Sequence, residues 1–365
     1  MKPESVKFID NSKQLADCAP AIADAPTLGV DTEFVRERTF FAQPGLLQFS
    51  DGERVWLLDP VAMAEEPAFA ALVADRLQAP GVDKILHSTG EDLEVLDRIA
   101  GTEPRPLFDT QRAAALLGRP LQMRYEHLAA ELVGAEFPGG LGRNNWLRRP
   151  LPDEWLDYAA ADVIALPALR TLLGRRLADA GRLEWLEEDC ARLVAQARTP
   201  ADPVTRIRGA AGLDDEALAR LAMLADWRDR AARERDLPRG FVVGDDALLD
   251  LARCAPGERD GRLETAGHRG RPLRRGDRDV IRALLGGTPP PFERPPELLP
   301  LARAQRERIK SLQKAVRDRA EALDVEPALL ASRRDLTRWV QGATCEWLHG
   351  WRGEVLSDVM TPHGS

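Results

Sequence analysis

Strand and helix signals alternate through the first 110 residues, then the strand signals stop, and no other feature limits the possible folds as tightly. PTLGVDTEF reads as a strand. GLLQFSDGERVWLLDP reads as a hairpin, because two β-rich runs, Leu46 to Phe49 and Val55 to Leu58, flank the turn pair Asp51-Gly52. DKILHSTGEDLEVLDRIA passes from a short strand at Ile85 and Leu86 into an amphipathic helix with Leu93, Leu96 and Ile99 at helical spacing. Such alternation predicts an α/β sheet covered by helices. From about Thr110 onward the chain reads as helical.

At 365 residues the chain exceeds one ordinary core, so two or three domains are expected. LPDEWLDYAAADVIALPALRTLLGRRLADAG opens a helix with Pro152 near its first position and Asp153 and Glu154 in its first turn, and Pro167 should kink or divide it. RTPADPVT (198–205) and TPPPFERPPELLP (288–300) look like breaks. They leave two helical segments, which resemble each other at a shift of 88 residues: LPRGFVVGDDALLDLARC falls on VEPALLASRRDLTRWVQG, with Leu237, Phe241, Val242 and Leu248 over Val325, Leu329, Leu330 and Leu336. The pattern alone leaves duplication and coincidence equally open.

No apolar stretch approaches the roughly 18 residues of a membrane span, and the amino terminus lacks a signal-peptide pattern, so a soluble cytoplasmic chain is expected. Four cysteines, Cys18, Cys190, Cys254 and Cys345, stand far apart and suggest neither a zinc site nor a disulfide framework. The net charge of −8 argues against a nucleic-acid partner until it is divided. Residues 1–200 carry 22 Lys/Arg against 32 Asp/Glu, so the acid excess belongs to the α/β part. Nine arginines between 251 and 282 read either as a phosphate-contacting footprint or as a solvated basic loop.

Carboxylates stand where an acid is structurally awkward. Asp31 and Glu33 follow an apolar strand and share one of its faces, Asp92 opens a helix after the strand at Ile85, and Asp162 shares a helix face with Trp155, Tyr158 and Leu166. Each has a bland reading: Asp-x-Glu arises by chance in an acidic chain, Asp92 suits a helix start, and Tyr158 with Asp162 suits a structural hydrogen bond. Taken together, they place four carboxylates and a phenol on separate elements of one α/β unit. Such carboxylates raise one another's pKa unless cations neutralise them. Hard divalent ions, Mg²⁺ or Mn²⁺, suit oxygen ligands, and two of them can clamp a phosphodiester. The phenol of Tyr158 suits orienting the attacking water. Tyr125, the only other tyrosine, shows no comparable acid setting.

VDTEFVRERTFFAQPGLLQ, ILHSTGEDLEVL and YAAADVIAL, in this order, resemble the three exonuclease motifs of the DEDDy superfamily, specifically the ribonuclease D family. LADWRDRAARERDLPRGFVV resembles its first HRDC domain, and ALLASRRDL with GWRGEVL resembles the second. The resemblance implies an α/β exonuclease domain over 1–200, ribonuclease H-like with a mixed sheet flanked by helices. Two small all-α HRDC domains would follow, at 206–288 and 296–365. It implies Asp31, Glu33, Asp92 and Asp162 as ligands of two divalent ions and Tyr158 as the tyrosine that names the subclass. The implied activity is 3′ to 5′ hydrolysis of RNA to 5′ mononucleotides, typically in trimming tRNA precursors, by a monomer. Phe34, Leu47, Gln48 and His87 flank the motifs as candidate nucleotide contacts, with core packing the rival role for Phe34 and Leu47 and a structural hydrogen bond for His87. FPGGLGRNNWLRRP departs from many relatives: it lacks their lysine and carries Gly139, Gly140 and Gly142, which leaves Arg143, Arg148 or Arg149 to take up a phosphate. A DNA exonuclease and a catalytically silent nucleic-acid scaffold remain as rivals, since discrimination by the 2′-hydroxyl is not legible.

Overall fold

The computed structural model describes residues 3–137, 144–199, 201–268 and 271–360. Six strands form one mixed sheet in the order β1 (Ser5–Ile9), β4 (Arg54–Leu58), β3 (Gln43–Ser50), β2 (Leu28–Val35), β5 (Lys84–Leu86), β6 (Leu107–Asp109). β3 runs antiparallel to both neighbours, as the Asp51-Gly52 turn predicts, while β2, β5 and β6 run parallel. The outermost strands β1 and β6 were not legible. β1 alternates weakly, and β6 has three residues, too few for a period to show.

Helices α1 (Ser12–Ala23), α2 (Pro67–Gln78) and α3 (Asp92–Ala100) cover the face that presents Val30, Leu47, Phe49 and Trp56. The other face, with Leu46, Val55, Leu57 and Ile85, is covered by α4 (Thr110–Ala115), α5 (Tyr125–Val133), α6 (Asp153–Ile164), α7 (Leu166–Asp179) and α8 (Leu183–Ala197). Pro167 divides the long helical pattern. The break falls at Ala165, which leaves Pro167 in the first turn of α7, where a missing N–H costs nothing.

The remainder is helical apart from a two-residue pair of strands, β7 (Gly267–His268) and β8 (Arg271–Pro272). The first helical module holds α9 (Asp215–Glu234), α10 (Arg239–Val242), α11 (Asp245–Arg253), α12 (Arg259–Thr265) and α13 (Arg275–Gly286). The second holds α14 (Arg303–Ala322), α15 (Pro327–Leu330), α16 (Arg333–Val340) and α17 (Trp351–Val355). The first three helices of the two modules start at 215, 239 and 245 and at 303, 327 and 333, an offset of 88 throughout. The turn after each long helix carries an aspartate at positive φ, Asp236 at 47° and Asp324 at 53°. The same three-helix pattern and the same turn therefore occur twice at one offset.

The two modules differ in how they attach. The first has its own core, built on Leu218, Leu221, Leu248, Leu251 and Ile281, and it touches the sheet unit through Phe40. Arg233 and Arg239 stand over that ring at 4.7 and 4.5 Å, and the Asp236 carboxylate accepts from the backbone N–H groups of Phe40 and Phe41. The second module has no separate core, because Ile309, Leu312, Leu330 and Trp351 join the cluster formed by α4 to α8. Trp185 and Trp351 stack at 4.5 Å, and the buried Asp189 carboxylate accepts from both arms of Arg352.

Four of the nine arginines in the run at 251–282 are engaged within their own module. Arg282 pairs with Asp260 and Asp279, Arg278 and Arg262 lie 3.9 Å from Glu264 and Asp250, and Arg259 donates to the Leu285 carbonyl. Among the described residues no helix is long and apolar enough to cross a membrane.

Removing one partner of a buried ion pair strands the other charge. Arg352→Ala should therefore destabilise the protein by about 3 kcal/mol, read from urea denaturation, and an unchanged midpoint would show that Asp189 is satisfied by Arg112 and Arg192 alone.

Candidate active site

Period-2 geometry divides β2 between its two sides. Leu28, Val30 and Thr32 are buried on the α1 and α2 side, and Gly29, Asp31 and Glu33 point toward α6. Gly29 lets the helices close down. A Cβ there would lie 3.0 Å from the Val163 carbonyl and 3.1 Å from the Leu166 Cβ, so the α6–α7 junction rests directly on the strand. That contact carries Asp162, the neighbour of Val163, over the strand acids. Carboxylate oxygens of Asp31, Glu33 and Asp162 lie within 4.8 Å of one another. Asp92 is adjacent, and its Oδ1 accepts from the Thr32 hydroxyl at 2.5 Å.

The acids repel each other as the sequence predicts. Burial, then the charges of Asp92, Asp162 and Glu33, push the Asp31 carboxyl well above its usual range. Burial followed by Asp162 and Asp92 raises Glu33 to about 9. Burial also raises Asp92 and Asp162 to about 7 each, against the donors Thr32 and Tyr158 respectively. The Tyr158 phenol is pushed up by burial and by Asp162 and Glu33, so it stays protonated and donates to Asp162. A protonated phenol in this position is a donor and no base.

Asp31, Thr32, Glu33, His87, Tyr125, Glu126, Tyr158, Asp162 and Leu166, none of them Lys or Arg, line a cavity of about 230 Å³, and Asp92 lies outside that lining, joined to it through the Thr32 hydroxyl. The carboxylate cluster is an all-oxygen donor set, and with no Lys or Arg among the described lining residues it suits a hard divalent cation. Tyr125 and Glu126 are additions that the sequence reading missed. The Tyr125 hydroxyl donates to the Ala161 carbonyl at 3.2 Å and accepts from the Ala165 N–H at 3.3 Å, so it braces the helix break beside Asp162. An acid setting invisible along the chain is supplied by a helix about 35 residues away in sequence.

The outlying candidates fare unevenly. His87 lines the cavity, but both ring nitrogens are taken, by the Thr110 hydroxyl and the Met123 carbonyl, and burial lowers its pKa, which matches the structural reading. Leu47 is fully buried in the core on the α1 side, so as a nucleotide contact it is corrected. Gln48 is corrected likewise: it pairs with Asp31 in the sheet, and its amide is buried without a protein partner. Phe34 is half-buried at the bulge one residue past Glu33, outside the cavity lining. Gly139, Gly140, Gly142 and Arg143 lie outside the described residues. Arg149 is unavailable to phosphate, because it holds Asp59 at 2.5 Å and the carbonyls of Gly45 and Trp146.

Comparison with known proteins adds to this geometry. A family model described as 3′-5′ exonuclease matches residues 6–178, and the HRDC domain model matches 217–280, within the first helical module. The chain is 37% identical to a protein named ribonuclease D from Xanthomonas oryzae pv. oryzae, over 97% of each chain. It is 34% identical to ribonuclease D of Escherichia coli strain K12, again over 97% of each. The crystal structure of Escherichia coli RNase D, described as an exoribonuclease involved in structured RNA processing, superposes with a TM-score of 0.82 at 29% identity, covering 99% of this chain and 98% of the other.

A carboxyl whose pKa is higher folded than unfolded binds its proton more tightly when folded. Its stability is present below the unfolded value, about 4, and is lost as pH rises through the folded value, about 7 for Asp92 and Asp162 and about 9 for Glu33. In EDTA, wild type should lose thermal stability relative to Asp162→Asn as pH climbs across this window, and Mg²⁺ should restore it. A gap between the two melting curves that stays constant with pH would remove the repulsion argument.

Proposed function

The chain belongs to the ribonuclease D family, and on that premise we propose that Asp31, Glu33, Asp92 and Asp162 hold two divalent ions, Mg²⁺ or Mn²⁺, at the open end of the sheet. Its activity is 3′ to 5′ exonucleolytic hydrolysis of RNA. One observation carries the site assignment: three carboxylates sit within 4.8 Å of one another in a cavity that, among the described residues, no Lys or Arg lines. Bound divalent ions neutralise the pocket and stabilise both the attacking and the leaving oxygen of the phosphodiester.

The chain's own residues supply position. Asp162 and the strand acids face each other across the cavity, so the scissile phosphate is held between a rigid strand and a helix end. The protonated Tyr158 donates to Asp162 and leaves the phenol oxygen facing the cavity, where it orients the attacking water.

We read the second helical module, 296–365, as a second HRDC domain beside the first at 206–288, with 1–200 as the exonuclease domain. The 88-residue offset of its helices and its aspartate turn supports this. Structured RNA is the proposed substrate, by analogy with the Escherichia coli relative, and tRNA precursors are the kind of RNA that the family resemblance implies.

The test is degradation of 5′-labelled RNA with Mg²⁺, with Mn²⁺ and with EDTA. Wild type should shorten RNA by single nucleotides, and both EDTA and Asp162→Ala should abolish this; RNA left intact under every metal condition would end the enzymatic reading. DNA of the same sequence should be cut more slowly, and equal rates would favour a DNA exonuclease. Tyr158→Phe should slow turnover by about 10²-fold with RNA affinity unchanged, and an unaltered rate would take Tyr158 out of the mechanism.

A further inference from the structure

The two helical modules meet across the segment that leads into the first of them, and the surface there is basic in a chain of net charge −8. One depression of about 540 Å³ lies between that segment and α16 and is lined by Arg206, Arg333, Arg334 and Arg338, with Glu297 beside them. A second, of about 370 Å³, is lined by Arg206 again, by Arg228, Arg239 and Asp245, and by Gly240 and Gly244. Arg206 belongs to both, so the two form one track.

Six guanidiniums line this track against two carboxylates. Glu297 is divided between Arg338 at 3.0 Å and Arg334 at 3.9 Å, while Asp245 takes Arg228 at 2.6 Å. Among the described residues neither Arg206 nor Arg333 has a carboxylate within ion-pair distance, and both side chains are exposed. Partial burial and the positive charge of Arg239 disfavour the charged form of Arg206, and the Asp229 carboxylate, which is bound to Arg239 and Arg233, offsets this only in part. Gly240 and Gly244 have no side chain to keep a backbone away. The neighbouring run at 251–282, by contrast, ties several of its arginines to acids and a carbonyl of its own module.

The inner end of the track reaches the catalytic unit. Arg239 stands over Phe40 at 4.5 Å, in the loop that directly follows the strand carrying Asp31 and Glu33.

We propose that this arginine track holds the phosphodiester backbone of the RNA whose 3′ end occupies the acid cavity, a proposal that rests on the exoribonuclease reading above. The contacts are with phosphates, so they add affinity without choosing a sequence. They also supply positive charge that the acidic exonuclease unit lacks.

The experiment uses the full chain carrying Arg206→Glu with Arg333→Glu, both at exposed positions. Binding is measured in EDTA to a hairpin RNA with a single-stranded 3′ tail, across a salt series, and turnover is measured with Mg²⁺ on an oligonucleotide too short to leave the cavity. Affinity for the tailed hairpin should fall about tenfold, the slope of log affinity against log salt should fall by roughly 1.5, and turnover of the short oligonucleotide should not change. Unchanged affinity and slope would overturn the track. So would an equal loss from Arg262→Glu with Arg278→Glu, which makes the same change in net charge, or an equal loss on the short oligonucleotide. If the double variant melts early, Arg206→Gln with Arg333→Gln replaces it and must show the same selective loss. A wild-type chain that binds the hairpin with this salt dependence but shortens no RNA would end the exonuclease reading and leave the track standing.

Discussion

The seat of the α6–α7 junction on Gly29 sets the spacing on which the catalytic end depends. A Cβ at position 29 would crowd the Val163 carbonyl oxygen at 3.0 Å and push the junction off the strand by a few tenths of an ångström, and Asp162 is the next residue toward the helix start. The closeness works against electrostatics, because each carboxylate raises the pKa of its neighbours. Apolar packing on both sides of the sheet bears that cost. Further braces hold the junction in place: the Tyr125 hydroxyl across the helix break, and Arg149, which fastens the segment ahead of α6 to Asp59 and Gly45. The acid pocket is thus a strained arrangement kept by a rigid frame, and a divalent cation relieves it.

The duplicated helices show one motif fixed to the frame in two ways. In both copies the turn after the long helix faces the sheet unit: Asp236 caps the loop at Phe40, and Asp324 closes against Gly118, where a Cβ would lie 2.8 Å from its carbonyl oxygen. The copies then diverge. Leu329 is buried, while Phe241 at the matching position exposes 41% of its surface. The second copy has given up its own core and become part of the enzyme's helical layer, whereas the first keeps a core and attaches through a loop.

Much of the catalytic site was legible because it is encoded locally. Asp31 and Glu33 fall two apart on a strand, and Tyr158 and Asp162 fall four apart on a helix, so each pair shares a face by backbone geometry alone. Tyr125 and Glu126 were missed for the converse reason. Their helix reaches the cavity only through packing, and nothing in RYEHLAAEL marks it. The same holds for Leu47 and Gln48, which sit beside a motif in sequence but inside the core in space.

The basic surface shows the limit most plainly. Part of the densest arginine run in the sequence is spent on its own module, and the track draws Arg206 from the segment ahead of α9 and Arg333 from the second module, neither with a carboxylate within ion-pair distance among the described residues. By itself the sequence determined the α/β unit and the helical remainder, and it placed the candidate acids in same-face pairs, because strand period and helix period are local properties of the chain. Tertiary structure alone decided which carboxylates meet, which arginines are left without acids, and which of the two helical copies shares the enzyme's core, because each depends on residues far apart in sequence coming together in the folded molecule.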